Sequence, residues 1–375
     1  MPELPEVETV RRGLARLLPG KKIVSVWHDW PGSKPGEYVS CCAGSGPGRI
    51  ADFSRQRSKA TPSRKNQQSA KIDSQLATEN TPTTYSKSFP NSEPDVQAFL
   101  IGARVLEVKR RAKVLLIELD SKYSLVIHLK MTGQLVYVQG STLHSKAKRF
   151  GAGHPNDSLI GELPDKSTRV IFDLVEDARQ QNVRGLTSHK LTSREMAVQK
   201  KARLFFNDQR KFGWVRLIPT MEVPNIDFFL KVGPEPLGAD FTAKAFIERL
   251  NKRPKSNIKA VLLDQTIIAG VGNIYADESL FAAKIHPVTR VNDLDDRQKE
   301  LLFHELRRIL ELSIQKGGSS DRNYVDAEGK KGSYLTFAQV FRREGQPCPR
   351  CAATIIKTRV AARGTHICPN CQKST

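Results

Sequence analysis

The chain opens Met1-Pro2-Glu3-Leu4-Pro5-Glu6, and loss of Met1 leaves a proline secondary amine with a carboxylate beside it. An α-amine titrates near 7.7–8.0 against about 10.4 for lysine, so a useful fraction is neutral at pH 7. Such an amine can attack an electrophilic carbon such as a sugar C1′, form a Schiff base once the ring opens, and drive elimination. Glu3 is the natural group to move the protons. Taken alone, the same residues also make an ordinary helix opening, with prolines and an acidic first turn suited to the helix dipole. A second set of chemical residues is Cys348, Cys351, Cys368 and Cys371, two Cys-x2-Cys pairs separated by sixteen residues. That spacing is a zinc ribbon's, and four thiolates leave no open coordination position, so one structural Zn²⁺ is expected. Disulfides are the alternative, disfavoured if the chain is intracellular. Cys41-Cys42 lacks such spacing and takes no role. A third set is Ile268-Ala269-Gly270-Val271-Gly272-Asn273, a glycine turn before a helix, where backbone amides can meet a phosphate and Asn273 can cap or donate. Arg253, Lys255 and Lys259 supply cations nearby; a packing role for the glycines is the alternative.

These groups must be carried by folded elements. Val7, Val10, Leu14 and Leu17 recur at helical spacing and predict a helix over 6–18, ending at Pro19-Gly20. Short β-rich runs follow at 23–27, 104–108, 114–119, 124–129, 135–138, 170–174, 204–207 and 214–218, which suggests a β-sandwich. From about Phe241 the pattern turns helical, with helices expected over 242–251, 258–264, 274–283 and 295–315. The Pro-rich run 232–238 reads as the hinge. The expected organisation is an α+β chain of two domains: 1–220, a linker 221–240, a helical domain 241–340 and a zinc ribbon 341–375. Residues 31–88, poor in bulky apolar side chains, read as a disordered insertion, and 176–201 as a second polar one.

With 60 Lys and Arg against 39 Asp and Glu, the formal charge is +21, so polyanions are the expected partners. No run of about twenty apolar residues offers a membrane span and no signal peptide is evident, so a cytoplasmic protein without membrane contact is expected.

Three further strings complete the pattern: Arg110-Arg111-Ala112-Lys113, His128-Leu129-Lys130-Met131-Thr132-Gly133, and Asn207-Asp208-Gln209-Arg210-Lys211-Phe212-Gly213. Together with the Pro-Glu start, the glycine turn and the ribbon, they make the chain resemble the bacterial formamidopyrimidine-DNA glycosylases nearly end to end outside the insertions. The resemblance implies an N-terminal β-sandwich with its helix, then a helix–two-turn–helix domain with a β-hairpin zinc finger. It implies a monomer on damaged double-stranded DNA at the bacterial nucleoid, acting as glycosylase and AP lyase on oxidised purines with no cofactor beyond zinc. By the same resemblance Pro2 is the Schiff-base nucleophile, Glu3 the acid/base, Lys113 the lysine of β-elimination and Arg363 the finger arginine of δ-elimination. Met131, Arg210 and Phe212 match residues that fill the gap left by a flipped nucleotide. Glu6 and Glu278 fall in matched strings, and 317–333 resembles a loop over the damaged base. Gln209, Lys130 and Ser167 depart from the family pattern; His154 could stand in for the histidine missing at Ser167. An endonuclease VIII-like enzyme for oxidised pyrimidines and a catalytically silent DNA-binding ribbon protein are the alternatives.

Overall fold

The computed structural model describes residues 2–28, 39–40, 96–140, 148–153, 161–176, 201–319 and 334–374. Met1, Cys41, Cys42, His154, the 320–333 loop and most of both expected insertions lie outside them.

Helix α1 (Leu4–Leu17) buries Val7, Val10 and Leu14 on one face. It begins two residues earlier than expected, because Pro5 in the first turn needs no hydrogen-bond acceptor there. Gly13 allows Phe150 to lie against the helix, since a Cβ there would sit 2.0 Å from the ring. The strands are β1 (Lys21–His28), β2 (Val39–Ser40), β3 (Val105–Arg111), β4 (Val114–Leu119), β5 (Tyr123–His128), β6 (Gly133–Gln139), β7 (Lys148–Gly153), β8 (Thr168–Glu176), β9 (Lys201–Asp208) and β10 (Trp214–Pro219). They form two antiparallel sheets, ordered β2-β1-β8-β9-β6-β7 and β10-β5-β4-β3. Ile23, Leu115, Leu125, Phe172 and Phe206 join the α1 face in one core, as expected of a sandwich. Two strands depart from the expectation. Val39–Ser40 pairs with Ser25 and Val26, inside the span read as a disordered insertion. The glycine-containing β7 is held by pairing along β6, with Phe150 opposite Tyr137, although its own residues have little β propensity.

Helices α2 (Asp227–Lys231), α3 (Ala243–Leu250), α4 (Ile258–Leu263), α5 (Asn273–Ala282), α6 (Asp296–Gln315) and α7 (Tyr334–Phe337) follow, then the hairpin β11 (Ile356–Val360) and β12 (Arg363–Ile367). Thr242 and Asn257 cap α3 and α4 through their side-chain oxygens, and Asp295 with Gln298 forms a capping box on α6, which is why these starts were visible in sequence. Phe246, Leu262, Tyr275, Leu302 and Leu306 centre a second core.

The 232–238 run is stitched to the sandwich. Glu235 accepts from Arg110 Nη1 at 2.8 Å, Arg111 Nη1 at 3.2 Å and Ala112 N at 2.5 Å, and Arg111 Nη2 donates to Gly233 O at 2.7 Å. Among the described residues no helix is long and apolar enough to cross a membrane.

Candidate active site

Pro2 and Glu3 are buried at the start of α1. Glu6, one turn on, accepts from Glu3 N at 2.8 Å, and Leu4 N donates to Gly270 O at 3.1 Å. The helix start is therefore anchored in the helical half. Glu3 Oε1 accepts from Ile274 N, 3.2 Å away in the first turn of α5, where the helix dipole favours a carboxylate. The glycines make this contact possible. A Cβ on Gly272 would lie 2.1 Å from Glu3 Cδ, and one on Gly270, which has φ +79°, would lie 2.7 Å from Leu4. The turn expected to receive a phosphate thus admits the chain's own Leu4 and Glu3. Gln265 braces it, accepting from Gly270 N at 3.0 Å and donating to Val271 O at 2.8 Å.

Lys113 sits in the two-residue turn between β3 and β4, after Ala112 with φ +53°, and donates to Val271 O at 3.0 Å. Burial lowers its pKa, opposed by Glu3 and Glu6, while Arg363 lowers it further. Glu3 is pushed up to about 7, chiefly by burial and by Glu6, against the pull of Lys113 and the Ile274 N–H. Its Oε2 is buried without a partner. The result is a carboxyl pushed up to about 7 beside a lysine and next to Pro2, whose nitrogen becomes a secondary amine only when Met1 is lost, and such a carboxyl can pass protons in either direction.

The four cysteine sulfurs lie within 4.8 Å of one another, with Cys348–Cys371 at 3.9 Å and Cys351–Cys368 at 3.5 Å. A tetrahedron with Zn–S of about 2.3 Å has edges of about 3.8 Å, whereas a disulfide needs about 2.05 Å. Arg350 N and Cys371 N each donate to a cysteine sulfur at 3.4 Å. The group fits one structural zinc. Arg363 is exposed at the hairpin tip, after Ala361 and Ala362, both with positive φ. Asn273, the first residue of α5, is not its cap; it donates to Gly364 O at 2.9 Å. Lys259 is not a surface cation either. It is 0% exposed and donates to Asp277 at 2.6 Å and to Thr365 Oγ1 at 2.6 Å. Arg253 and Lys255 stand exposed on the turn before α4.

Met131 is half-buried on the β5–β6 turn; Arg210 and Phe212 are exposed on the β9–β10 turn, with the guanidinium 4.8 Å from the ring centroid. Asp208 joins the two turns. It accepts from Thr132 Oγ1, from Arg210 N at 3.2 Å and from Gly213 N at 2.6 Å.

Comparison with known proteins gives the same pattern over the whole chain. Residues 1–40 and 64–215 match the formamidopyrimidine-DNA glycosylase N-terminal domain, 232–324 its H2TH domain, and 345–373 the zinc finger found in FPG and IleRS. The formamidopyrimidine-DNA glycosylase of Chloroflexus aurantiacus is 35% identical over 99% of this chain and 98% of its own. The chain belongs to the formamidopyrimidine-DNA glycosylase family. The Pelotomaculum thermopropionicum glycosylase is 32% identical over 100% and 99% of the two chains. Among solved structures, a Lactococcus lactis FPG variant with a Fapy-dG containing DNA superposes with TM-score 0.67 at 28% identity, and MutM with a carbocyclic 8-oxo-G containing DNA with 0.65 at 28%, each covering 100% of both chains.

Glu6 and Glu278 lie in strings that carry the resemblance, but the contacts through which they and other residues organise this glycosylase-family site were not visible in sequence. Tyr275 donates to Glu6 at 2.5 Å, and Glu6 also accepts from Ser319 N at 2.7 Å. Glu278 accepts from three successive backbone N–H groups, Gln339 to Phe341, and so supports the approach to the finger. Asp208 had a local signal, an Asx turn two residues before Arg210. Glu235 and Asp277 had none, since their partners are distant in sequence.

Proposed function

We propose that the chain is a bifunctional DNA glycosylase and AP lyase of base-excision repair, excising 8-oxoguanine and formamidopyrimidines from DNA. The observation that carries the reading is the buried Glu3 carboxyl, held at the α5 N-terminus beside Lys113 and next to Pro2. In this reading the Pro2 nitrogen attacks C1′, and the glycosidic bond breaks with its electron pair leaving on the base, which takes a proton. Ring opening yields an iminium at C1′. Loss of a C2′ proton, toward Glu3 or Lys113, expels the 3′ phosphate; loss of a C4′ proton expels the 5′ phosphate; water then frees Pro2. Arg363, on the hairpin, balances phosphate charge during the second elimination. The sandwich, 1–220, contributes the nucleophile, Lys113 and the Met131, Arg210 and Phe212 wedge. The helical domain and ribbon, 241–340 and 341–375, contact the DNA through Arg253, Lys255 and Arg363, with Arg363 near enough to Lys113 to lower its pKa, while Lys259 and Asn273 act behind that surface. The enzyme works as a monomer on cytoplasmic, nucleoid DNA. Zinc holds the finger and takes no part in bond breaking. A preference for purine lesions is favoured over oxidised pyrimidines by the Arg210–Phe212 stack beside Met131, which suits an orphaned base edge.

Borohydride trapping on 8-oxoguanine and abasic duplexes tests the reading. Processed protein should form a covalent adduct, and protein shown by mass spectrometry to retain Met1 should not, because its proline nitrogen is an amide. Equal trapping by both forms would sink the nucleophile assignment; preference for thymine glycol would sink the purine one.

A further inference from the structure

Arg363 is exposed at the finger tip, with no acidic partner among the described residues. Zinc fixes the other end of that hairpin. The tip itself turns through Ala361 and Ala362, with φ 50° and 58°, a two-residue geometry that usually takes Asn-Gly and that alanine adopts with strain. Something else must hold it in register. The three residues after Arg363 are each tied to the helical domain. Gly364 O accepts from Lys259 Nζ at 3.3 Å and Asn273 Nδ2 at 2.9 Å. Thr365 Oγ1 meets Lys259 Nζ at 2.6 Å. His366 N donates to Asp277 Oδ2 at 3.0 Å. Lys259, Asp277 and Thr365 are all 0% exposed.

An ammonium has three protons, and Asp277, Thr365 and Gly364 take all three, so none remains for a phosphate. Burying such an ion pair is a poor way to gain stability, because desolvation offsets the attraction; a defined register is the better-attested return. Asp277 completes the tie by holding both the lysine and the next residue of β12. Asn273 and Asp277 lie one turn apart on α5, the helix whose first turn also receives Glu3. The lock therefore refers the finger tip to the element that fixes the acid.

We infer that Lys259, Asp277 and Thr365 form a buried lock that positions Arg363 at the lesion-site phosphates and so sets how much β-eliminated product goes on to δ-elimination. This rests on the role proposed for Arg363. Lys259 is then a positioning residue, acting through the hairpin, and not a DNA contact.

The test measures the ratio of δ to β product ends on an abasic-site duplex in single turnover, using zinc-loaded full-length protein with metal content and melting temperature as controls. Thr365→Val removes at constant shape the hydroxyl that accepts from Lys259 and donates to Arg363 O at 3.0 Å, and Lys259→Met/Asp277→Asn removes both charges while leaving that hydroxyl and an acceptor for His366 N. In both, the δ:β ratio should fall about tenfold while borohydride trapping falls much less. Thr365→Ser, which keeps the hydroxyl, should restore the wild-type ratio. Folded, zinc-replete lock variants with a wild-type ratio, while Arg363→Ala lowers it, would overturn the lock alone. An unchanged ratio in Arg363→Ala would overturn the role of Arg363 and the lock with it.

Discussion

Glu3→Gln separates the stability of this fold from its chemistry. The Glu3 carboxyl is pushed up to about 7 from an ordinary 4.5, first by burial and then by Glu6, with Lys113 and the Ile274 N–H opposing. Between those two values the unfolded chain has released this proton and the folded chain keeps it. Stability contributed by the protonated form is therefore fully present below pH 4.5 and is lost as pH rises through 7, at about 1.4 kcal/mol per pH unit, or about 3 kcal/mol in all. Glutamine has nothing to ionise, and its amide oxygen can still accept from Ile274 N. Urea unfolding at pH 5 and pH 8.5 should show wild type losing about 2–3 kcal/mol more than the variant across that interval. At pH 8.5 the variant should be the more stable protein. In single-turnover base excision at pH 7, the same variant should be slower by about 10²–10⁴, the usual worth of a positioned acid/base. Parallel stability curves for the two proteins would refute the burial argument; unchanged excision would refute the proton-transfer role.

Arg210→Ala should reduce discrimination between 8-oxoguanine paired with C and with A by about 1–3 kcal/mol in single-turnover cleavage, with less effect on a pre-formed abasic site. Glu235→Ala removes an acceptor shared by Arg110, Arg111 and Ala112 N. It should cost about 3 kcal/mol in urea melts and slow cleavage of abasic DNA more than it weakens binding, because the turn it holds carries Lys113. Cys348→Ser should lower zinc content and DNA affinity while the sandwich's circular dichroism persists; full activity in verified zinc-free protein would refute the role of the finger.

What sequence could reveal depended on whether a residue's partner was local. Pro2 and Glu3 declared their chemistry by type and position, and the cysteines by spacing. Caps such as Asp295 with Gln298 marked helix starts because both members lie within one turn. Lys259 read as a surface cation because the carboxylate that permits its burial lies eighteen residues on, in the next helix. Glu235 looked like a hinge residue because its guanidinium partners lie more than a hundred residues upstream. Strand β7 was hidden by its glycines, which only the pairing with β6 and the contact of Phe150 with α1 make sense of. The glycine turn was legible as a close approach, but not what approaches it.

The seams between the halves also govern how the molecule comes apart. Leu4 and Glu3 bond into the α5 turn, Glu6 bonds Tyr275, Lys113 bonds Val271, Glu235 bonds the β3–β4 turn, and the finger is fastened to α4 and α5. Sandwich and helices share the acid's own contacts, so in the zinc-loaded protein neither can melt while the other persists. Heating should give one calorimetric peak whose measured and van't Hoff enthalpies agree, unlike the staggered melting of loosely tethered domains. Catalytic competence and the global fold then vanish at the same temperature, with no partly melted chain able to attack DNA.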